Sequence, residues 1–334
     1  MVNKKVLVTG GAGYVGAHTC KMLAEQGYTP IVFDNLSYGH SYAIQWGNYI
    51  KGDLTQYDDI HQALIKTQPV GVVHCAAFTY VGESVHKPAE YYQNNVIGTF
   101  NLCNAMVANK VNNIVFSSTC ATYGNVTNHI IDDVTPQNPI NSYGNTKLVA
   151  ELMLKDFNIA YKLNYIIVRY FNVAGADPMG KIGEDHNPET HLIPLVIEVA
   201  LGKRENIKIF GTDYNTPDGT CIRDYIHVND LAHAHCLALE YLFNQQLSNS
   251  FNLGTGKGYS VKEIIKAVEF VSGKKIATLN ESKRAGDPAI LVADATKAQQ
   301  VLKWQANYTD INSIIATAYN WHSQSTKENI VGNS

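Results

Sequence analysis

Residues 5–16, KVLVTGGAGYVG, decide the fold. Val6, Leu7 and Val8 form an unbroken apolar run, as in a strand covered on both faces of its sheet. The run passes into glycines at 10, 13 and 16, a GxxGxxG spacing, and then into the helical pattern AHTCKMLAEQ (17–26). Glycine permits a tight strand-to-helix turn and lets other groups approach the backbone closely. The helix that follows aims free N–H groups, and the positive end of its dipole, at whatever sits before it. Glycines also make plain turns, so the weight rests on context: this motif follows the first strand and opens the first helix.

Outward from the turn, the rhythm repeats. Apolar strands are expected at TPIVFDN (29–35), GVVHCAA (71–77), NIVFSST (113–119) and NYIIVRYFN (164–172), with a shorter one at NYIKGD (48–53). Helical stretches such as NNVIGTFNLCNAMVAN (94–109) separate them. Continuous apolar strands alternating with helices make an α/β fold: a Rossmann-like doubly wound parallel sheet. After residue 172 the chain turns rich in Gly, Pro and Asp. A helix at 227–242, capped by Asn229 or Asp230, and a strand at SFNLGTG (250–256) then return to the sheet. The expected division is a Rossmann domain at 1–175 with returning segments around 228–254. A smaller C-terminal α/β lobe at 176–330 would bind substrate.

Composition narrows the function. The 334 residues carry a formal net charge of −3, so no basic surface points to nucleic acid and no acidic tail to disorder. The N-terminus lacks the apolar core of a signal peptide, and no apolar run approaches membrane-spanning length. Six cysteines are scattered without a CxxC pair, as in a reduced cytoplasmic protein.

Two carboxylates follow the glycine turn. Asp34 ends the second strand, placed to bond both ribose hydroxyls of an adenosine and to repel a 2′-phosphate, which favours NAD over NADP. Asp53 either touches the adenine or caps the next helix; the sequence leaves both open. Further on, SYGNTK (142–147) sets Tyr143 and Lys147 four apart in the first turns of a helix capped by Asn141 or Ser142. The apolar stripe expected for that helix is Val149, Leu152, Met153, Phe157 and Ala160. A tyrosine serves as a base only if its pKa falls from about 10, and an adjacent ammonium favours that fall. Thr119, at the end of a neighbouring strand, adds a hydroxyl to share the substrate's proton.

Long stretches of the chain resemble the extended short-chain dehydrogenase/reductase family, and within it the UDP-hexose 4-epimerases. They include VTGGAGYVG, VGESVHKPAEYYQNNVIGT, FSSTCATYG, SYGNTK, GEDHNPETHLIP, IFGTDYNTPDGTCIRDYIHVNDLA and RAGDPAILVAD. The resemblance implies reversible inversion at C4 of UDP-glucose and UDP-galactose through a transient 4-keto sugar. Tyr143 would be the base, Lys147 its activator and Thr119 the hydroxyl partner. On the family's NAD positions fall Gly10, Gly13, Tyr14, Val15, Gly16, Asp34, Asn35, Asp53, Leu54, Ala76, Ala77, Asn95, Ser117 and Phe171, with Tyr143 and Lys147. On its UDP-sugar positions fall Thr119, Asn172, His191, Leu192, Phe210, Arg223, Arg284, Asp287 and Leu291. Leu291 stands at the sugar gate, where strict bacterial members carry Tyr and dual-specificity members Cys, so UDP-N-acetylhexosamines also come into view. The resemblance further implies a homodimer built on helices around 90–109 and 143–162.

Other readings fare worse. A nucleotide-sugar 4,6-dehydratase carries an Asp-Glu pair after its threonine, but Cys120 and Ala121 follow Thr119 here. A non-catalytic NAD sensor commonly loses the Tyr or the Lys, and both are present. His186 and His191 stand five apart among acids, but spacing supplies no well-placed third ligand, and no metal is expected. His233 and His235 read as ordinary helix residues on different faces, and nothing marks Cys120 as a nucleophile.

Overall fold

The computed structural model describes residues 4–126, 130–284 and 287–324. Seven parallel strands form the main sheet: β1 (Lys5–Thr9), β2 (Thr29–Asp34), β3 (Asn48–Lys51), β4 (Gly71–His74), β5 (Asn113–Thr119), β7 (Asn164–Tyr170) and β11 (Asn249–Leu253). Their spatial order is β11-β7-β5-β4-β1-β2-β3. The chain therefore winds outward in one direction from β1 and in the other from β4. Between those two strands lies the switch point where such sheets bind ligands. β6 (Ile130–Ile131) belongs to the second sheet.

Side-chain alternation along each strand supplies two cores. Val6 and Val8 face one way, toward α1 (Tyr14–Glu25) and α8 (Val228–Gln245), through Cys20, Leu23, Leu231, Leu239 and Leu242. Leu7, Ile31, Val72 and Ile114 face the other, toward α2 (Tyr57–Thr67), α5 (Gly98–Ala108) and α6 (Ser142–Tyr161). Two short helices, α3 (Val81–His86) and α4 (Pro88–Tyr91), and a wide π turn at Tyr92–Ile97 lead into α5.

The smaller lobe holds the sheet β12-β10-β14-β6, made with β10 (Ile222–His227), β12 (Gly258–Ser260) and β14 (Ile290–Ala293), and β8 (Asn172–Ala174) pairs with β10. A separate pair joins β9 (Ile207–Phe210) to β13 (Thr278–Glu281). α7 (Leu192–Ala200), α9 (Val261–Ser272) and α11 (Ile311–Ser323) share the core of this lobe. α10 (Thr296–Val301) and Trp304 instead join the α1–α8 core, where the Trp304 indole donates to the Asp230 carbonyl at 2.9 Å. No helix among the described residues is long and apolar enough to cross a membrane.

Two local expectations are corrected. The cap of α8 is His227, whose imidazole accepts from the Asn229 N–H at 3.0 Å; Asp230 instead takes the Tyr308 N–H and the Asn307 amide. The buried face of α6 is only in part the apolar stripe: Phe157 is buried in the core and Met153 packs against it. Leu152 is 49% exposed, whereas Tyr143, Thr146, Lys147 and Glu151 are buried beside Ala150 and Leu154. Polar groups occupy that face because partners wait for them. Glu151 pairs with Arg169 at 2.7 Å and accepts from Ser118, while Thr146 accepts from Asn95.

Candidate active site

A cleft of about 730 Å³ opens at the carboxyl ends of β1, β2, β4 and β5 and continues between the lobes. Strands expected to run to 77 and 172 stop at His74 and Tyr170, and the freed segments 75–80 and 171–174 become walls of the cleft. The three glycines of the first turn have different jobs. Gly10 has φ +68°, and a Cβ there would stand 2.6 Å from the Ala76 nitrogen. A Cβ on Gly16 would stand 2.0 Å from the Gly10 carbonyl oxygen. Both are required by the protein's own packing. A Cβ on Gly13 would meet only the Gly10 oxygen, at 3.3 Å, and otherwise point into open space before α1.

Asp34 closes the turn from the next strand. One carboxylate oxygen accepts from the Ala12 N–H at 3.0 Å and the other from Leu36 at 2.8 Å. Burial raises its pKa, and these two bonds work against that rise. Asp53 is not the cap of α2, which begins at Tyr57 behind Gln56. It bonds Thr55 through its N–H and hydroxyl at 2.8 Å each and accepts from the Asn35 amide at 3.1 Å. Asp53, Leu54, Ala76 and Ala77 all line the cleft, beside Tyr14 and Val15.

Asn141 caps α6 by accepting from the Gly144 N–H at 2.8 Å, which sets Tyr143 in the first turn and against the cleft. The Tyr143 and Thr119 side chains both line the cleft. Burial drives the phenol's pKa upward and the Thr119 contact pulls it down. Lys147 lies one layer behind the lining. It donates to the Ser117 carbonyl at 2.7 Å and sits 4.8 Å above the Phe116 ring. Burial lowers its pKa to about 8, against the opposing pull of Cys75 and Glu151.

At the other end of the cleft, Arg223 pairs with Asp287 and Arg284 lies 3.9 Å from the centre of the Phe210 ring. Asn172 donates to the Asp224 carbonyl at 3.1 Å. Leu291 sits opposite Arg223 in the β10–β14 pairing and packs beside Phe171 and Tyr123. His191 and Leu192 open α7 at the cleft edge.

The sequence profile of the NAD dependent epimerase/dehydratase family matches residues 6–254. The chain belongs to that family. It is similar to the UDP-glucose 4-epimerase of Rhizobium meliloti (strain 1021), with 50% identity covering 97% of this chain and 98% of the relative. The crystal structure of the Brucella ovis UDP-glucose 4-epimerase in complex with NAD superposes with a TM-score of 0.92. It is 48% identical and covers 94% of this chain and 97% of that one. The UDP-Glc/GlcNAc 4-epimerase of Campylobacter jejuni superposes with a TM-score of 0.85 at 40% identity, covering 96% of this chain and all of that one (100%).

The cofactor of this epimerase/dehydratase family member is NAD, and the residues fit it. α1 begins at Gly13 with no side-chain cap, so its first N–H groups remain for a pyrophosphate, in the space that a Gly13 side chain would take. The Asp34 carboxylate then lines the cleft one strand away.

Not every expected residue reaches the cleft. Asn95, Ser117, Lys147 and Phe210 lie outside its lining. Asn95 spends its amide on the Phe78 backbone, at 2.8 and 3.0 Å, and on Thr146, at 3.1 Å, so it clasps the wall rather than forming it. Tyr170 escaped the sequence reading, and His235, read there as an ordinary helix residue, does more than that. Tyr170 lines the cleft at the end of β7. His235, fully buried on α8, accepts from or donates to the Ser117 hydroxyl at 2.7 Å while its other ring nitrogen meets the Leu231 carbonyl at 2.9 Å. That places His235 directly behind the residue that holds Lys147; two histidines on different faces of one helix carried no such signal. The Cys120 thiol lines the cleft with its pKa raised to about 11 by burial, in keeping with an inert thiol. The reading of 186 and 191 needs a larger change: Glu184 and Glu189 converge on the two histidines, so partners that spacing did not reveal are present.

Proposed function

We propose that this protein interconverts UDP-glucose and UDP-galactose by inverting C4, with Tyr143 as the base. The observation that carries the reading is that Tyr143 and Thr119 line a single cleft together with the glycine turn and with Arg223 and Arg284. The two arginines suit a diphosphate because their forked donors match its oxygens. Tyr143 takes the C4 hydroxyl proton, and Thr119 shares it. NAD, when bound, supplies a reversible hydride acceptor at C4. The 4-keto sugar turns about its diphosphate tether to present the other face of C4; the hydride would return there as Tyr143 gives the proton back to the C4 oxygen. Lys147, one turn along α6 from Tyr143 and held by the Ser117 carbonyl, places positive charge behind the site and stabilises the ionised phenol. The test is incubation with UDP-galactose: UDP-glucose should form without added oxidant, and its absence would sink the assignment.

Leu291 sets the width of the sugar pocket. It is smaller than Tyr and has no hydroxyl, which leaves room near C2 for an N-acetyl group. Wild type should turn over UDP-N-acetylgalactosamine measurably, and Leu291→Tyr should lose that activity selectively. Equal N-acetyl activity in both proteins would show that Leu291 is not the gate.

The working unit is a homodimer in the cytoplasm. Phe100 on α5 and Leu152 and Ile159 on α6 are exposed at 42, 49 and 73%, an apolar surface of the kind that partner subunits cover. Six free cysteines suit a reducing compartment. Sedimentation should give twice the chain mass, falling to the monomer in Phe100→Asp/Leu152→Asp.

A further inference from the structure

Between β8 and α7 the chain reads GEDHNPETH (183–191). Its fold brings one donor atom from each of Glu184, His186, Glu189 and His191 within 4.8 Å of one another. His186 Nδ1 stands 3.0 Å from Glu184 Oε1 and 3.9 Å from Glu189 Oε1. His191 Nδ1 contacts the same Glu184 oxygen and lies 4.0 Å from Glu189 Oε1. We propose that these four side chains bind one divalent cation of the zinc class, which clasps the 184–191 segment to the rim of the cleft.

The geometry fits a metal better than hydrogen bonds alone. Bonds of about 2.0–2.2 Å to nitrogen and oxygen put donors about 3–4 Å apart; His186 stands at that spacing from Glu184 and Glu189, and His191 from Glu189, while His191 and Glu184 are closer, as a pair sharing a proton is until a cation parts them. Both imidazoles aim the same nitrogen at one carboxylate oxygen. His186 Nδ1 is buried and, despite its closeness to Glu184, has no partner in hydrogen-bonding geometry. A cation resolves that competition, since each nitrogen then offers a lone pair rather than a proton. Charge agrees: two carboxylates balance one divalent ion with both imidazoles neutral. A set of two nitrogens and two oxygens suits zinc over the harder magnesium and calcium.

The surroundings hold the donors in place. Glu189 Oε1 accepts the N–H groups of Thr190 and His191 at 2.6 and 2.8 Å, an outer shell that orients a ligand. The Trp321 indole donates to the Glu184 carbonyl at 2.9 Å, and the Tyr80 ring meets His186 edge-on at 5.7 Å. The neighbouring Asp185 is already tied to the first lobe: its carbonyl meets the His40 ring and its carboxylate accepts from the Tyr42 hydroxyl, both at 2.7 Å. The cluster thus lies at a junction of the two lobes, with His186 and His191 on the wall of the cleft that Tyr143 and Thr119 also line. Its role is structural, fixing the segment that leads into α7.

The alternative is an ion cluster without metal. In it, Glu184 holds His191 protonated up to about 9. The two are separable by experiment. The NAD-loaded protein is stripped with dipicolinate, desalted, and titrated with zinc sulfate, reading bound zinc by mass spectrometry and Tm by calorimetry. About one zinc per chain should bind and raise Tm by at least about 3 °C. His186→Gln/His191→Gln should lose that zinc and that rise while keeping NAD. Should this variant fail to fold, Glu189→Gln should weaken zinc binding by about tenfold or more. Zinc uptake equal in wild type and variant, which the cysteines would give, overturns the proposal. So does a stripped wild type whose Tm ignores zinc and falls as pH rises through about 9, the signature of a protonated His191 losing its proton.

Discussion

Burial alone would keep the Tyr143 phenol protonated, and the Thr119 hydroxyl is the neighbour that pulls its pKa down. If Tyr143 is the base, as proposed, the sign of the consequence is fixed: a base that must lose its proton to act becomes active as pH rises through its pKa. Thr119→Val removes the favourable contact, so the rising limb of kcat against pH should move to higher pH, and a limb that stays in place would separate Thr119 from the base. Tyr143→Phe should lower kcat by about a hundredfold or more with UDP binding retained, since an acid–base group contributes on that scale. A second residue-scale expectation concerns Arg169 and Glu151, paired with side-chain exposures of 4% and 0%. Breaking a buried pair leaves an uncompensated charge, so Arg169→Met should cost about 3–5 kcal/mol in denaturant unfolding. Removing both charges in Arg169→Met/Glu151→Leu should recover much of that loss; an additive, larger loss would deny the coupling.

At the scale of elements, the glycine turn gives the sharpest contrast. Gly16→Ala forces a methyl to within 2.0 Å of the Gly10 oxygen, deep in the strand–helix contact, and should prevent stable folding. Gly13→Ala meets that oxygen at only 3.3 Å and otherwise enters the cleft. It should fold, by circular dichroism, and bind NAD about tenfold or more weakly, because the methyl occupies the pyrophosphate's approach. Equal NAD affinity would mean that the phosphates lie elsewhere. The turn was legible because strand, glycines and helix are consecutive, and apolar continuity marked the strands β1, β2, β5 and β7 for the same local reason. The buried face of α6 was legible only at Phe157 and Met153. A stripe argument equates apolar with buried, and here Lys147, Glu151 and Thr146 are buried because β5, β7 and the π turn bring partners to them. The cap of α8 failed similarly, since His227 takes the place that Asn229 or Asp230 would ordinarily fill and Asp230 is drawn to the chain near Tyr308.

For the whole molecule, what escaped the sequence is what distant segments do together. Ser117 and His235 are 118 residues apart, and Tyr14 donates to the carbonyl of Gly175 across the lobes at 2.6 Å. Glu184, His186, Glu189 and His191 are near in sequence, yet only the fold of their loop turns all four inward. The molecule as a whole confines one chemistry to one cleft: the sugar is oxidised and reduced at C4 without leaving, so the hydrogen removed from C4 must return to it. UDP-galactose deuterated at C4 tests this most directly. The account predicts UDP-glucose with the deuterium retained at C4, none in the solvent and no reduced cofactor accumulating. Loss of the label to solvent, or stoichiometric release of NADH, would contradict it.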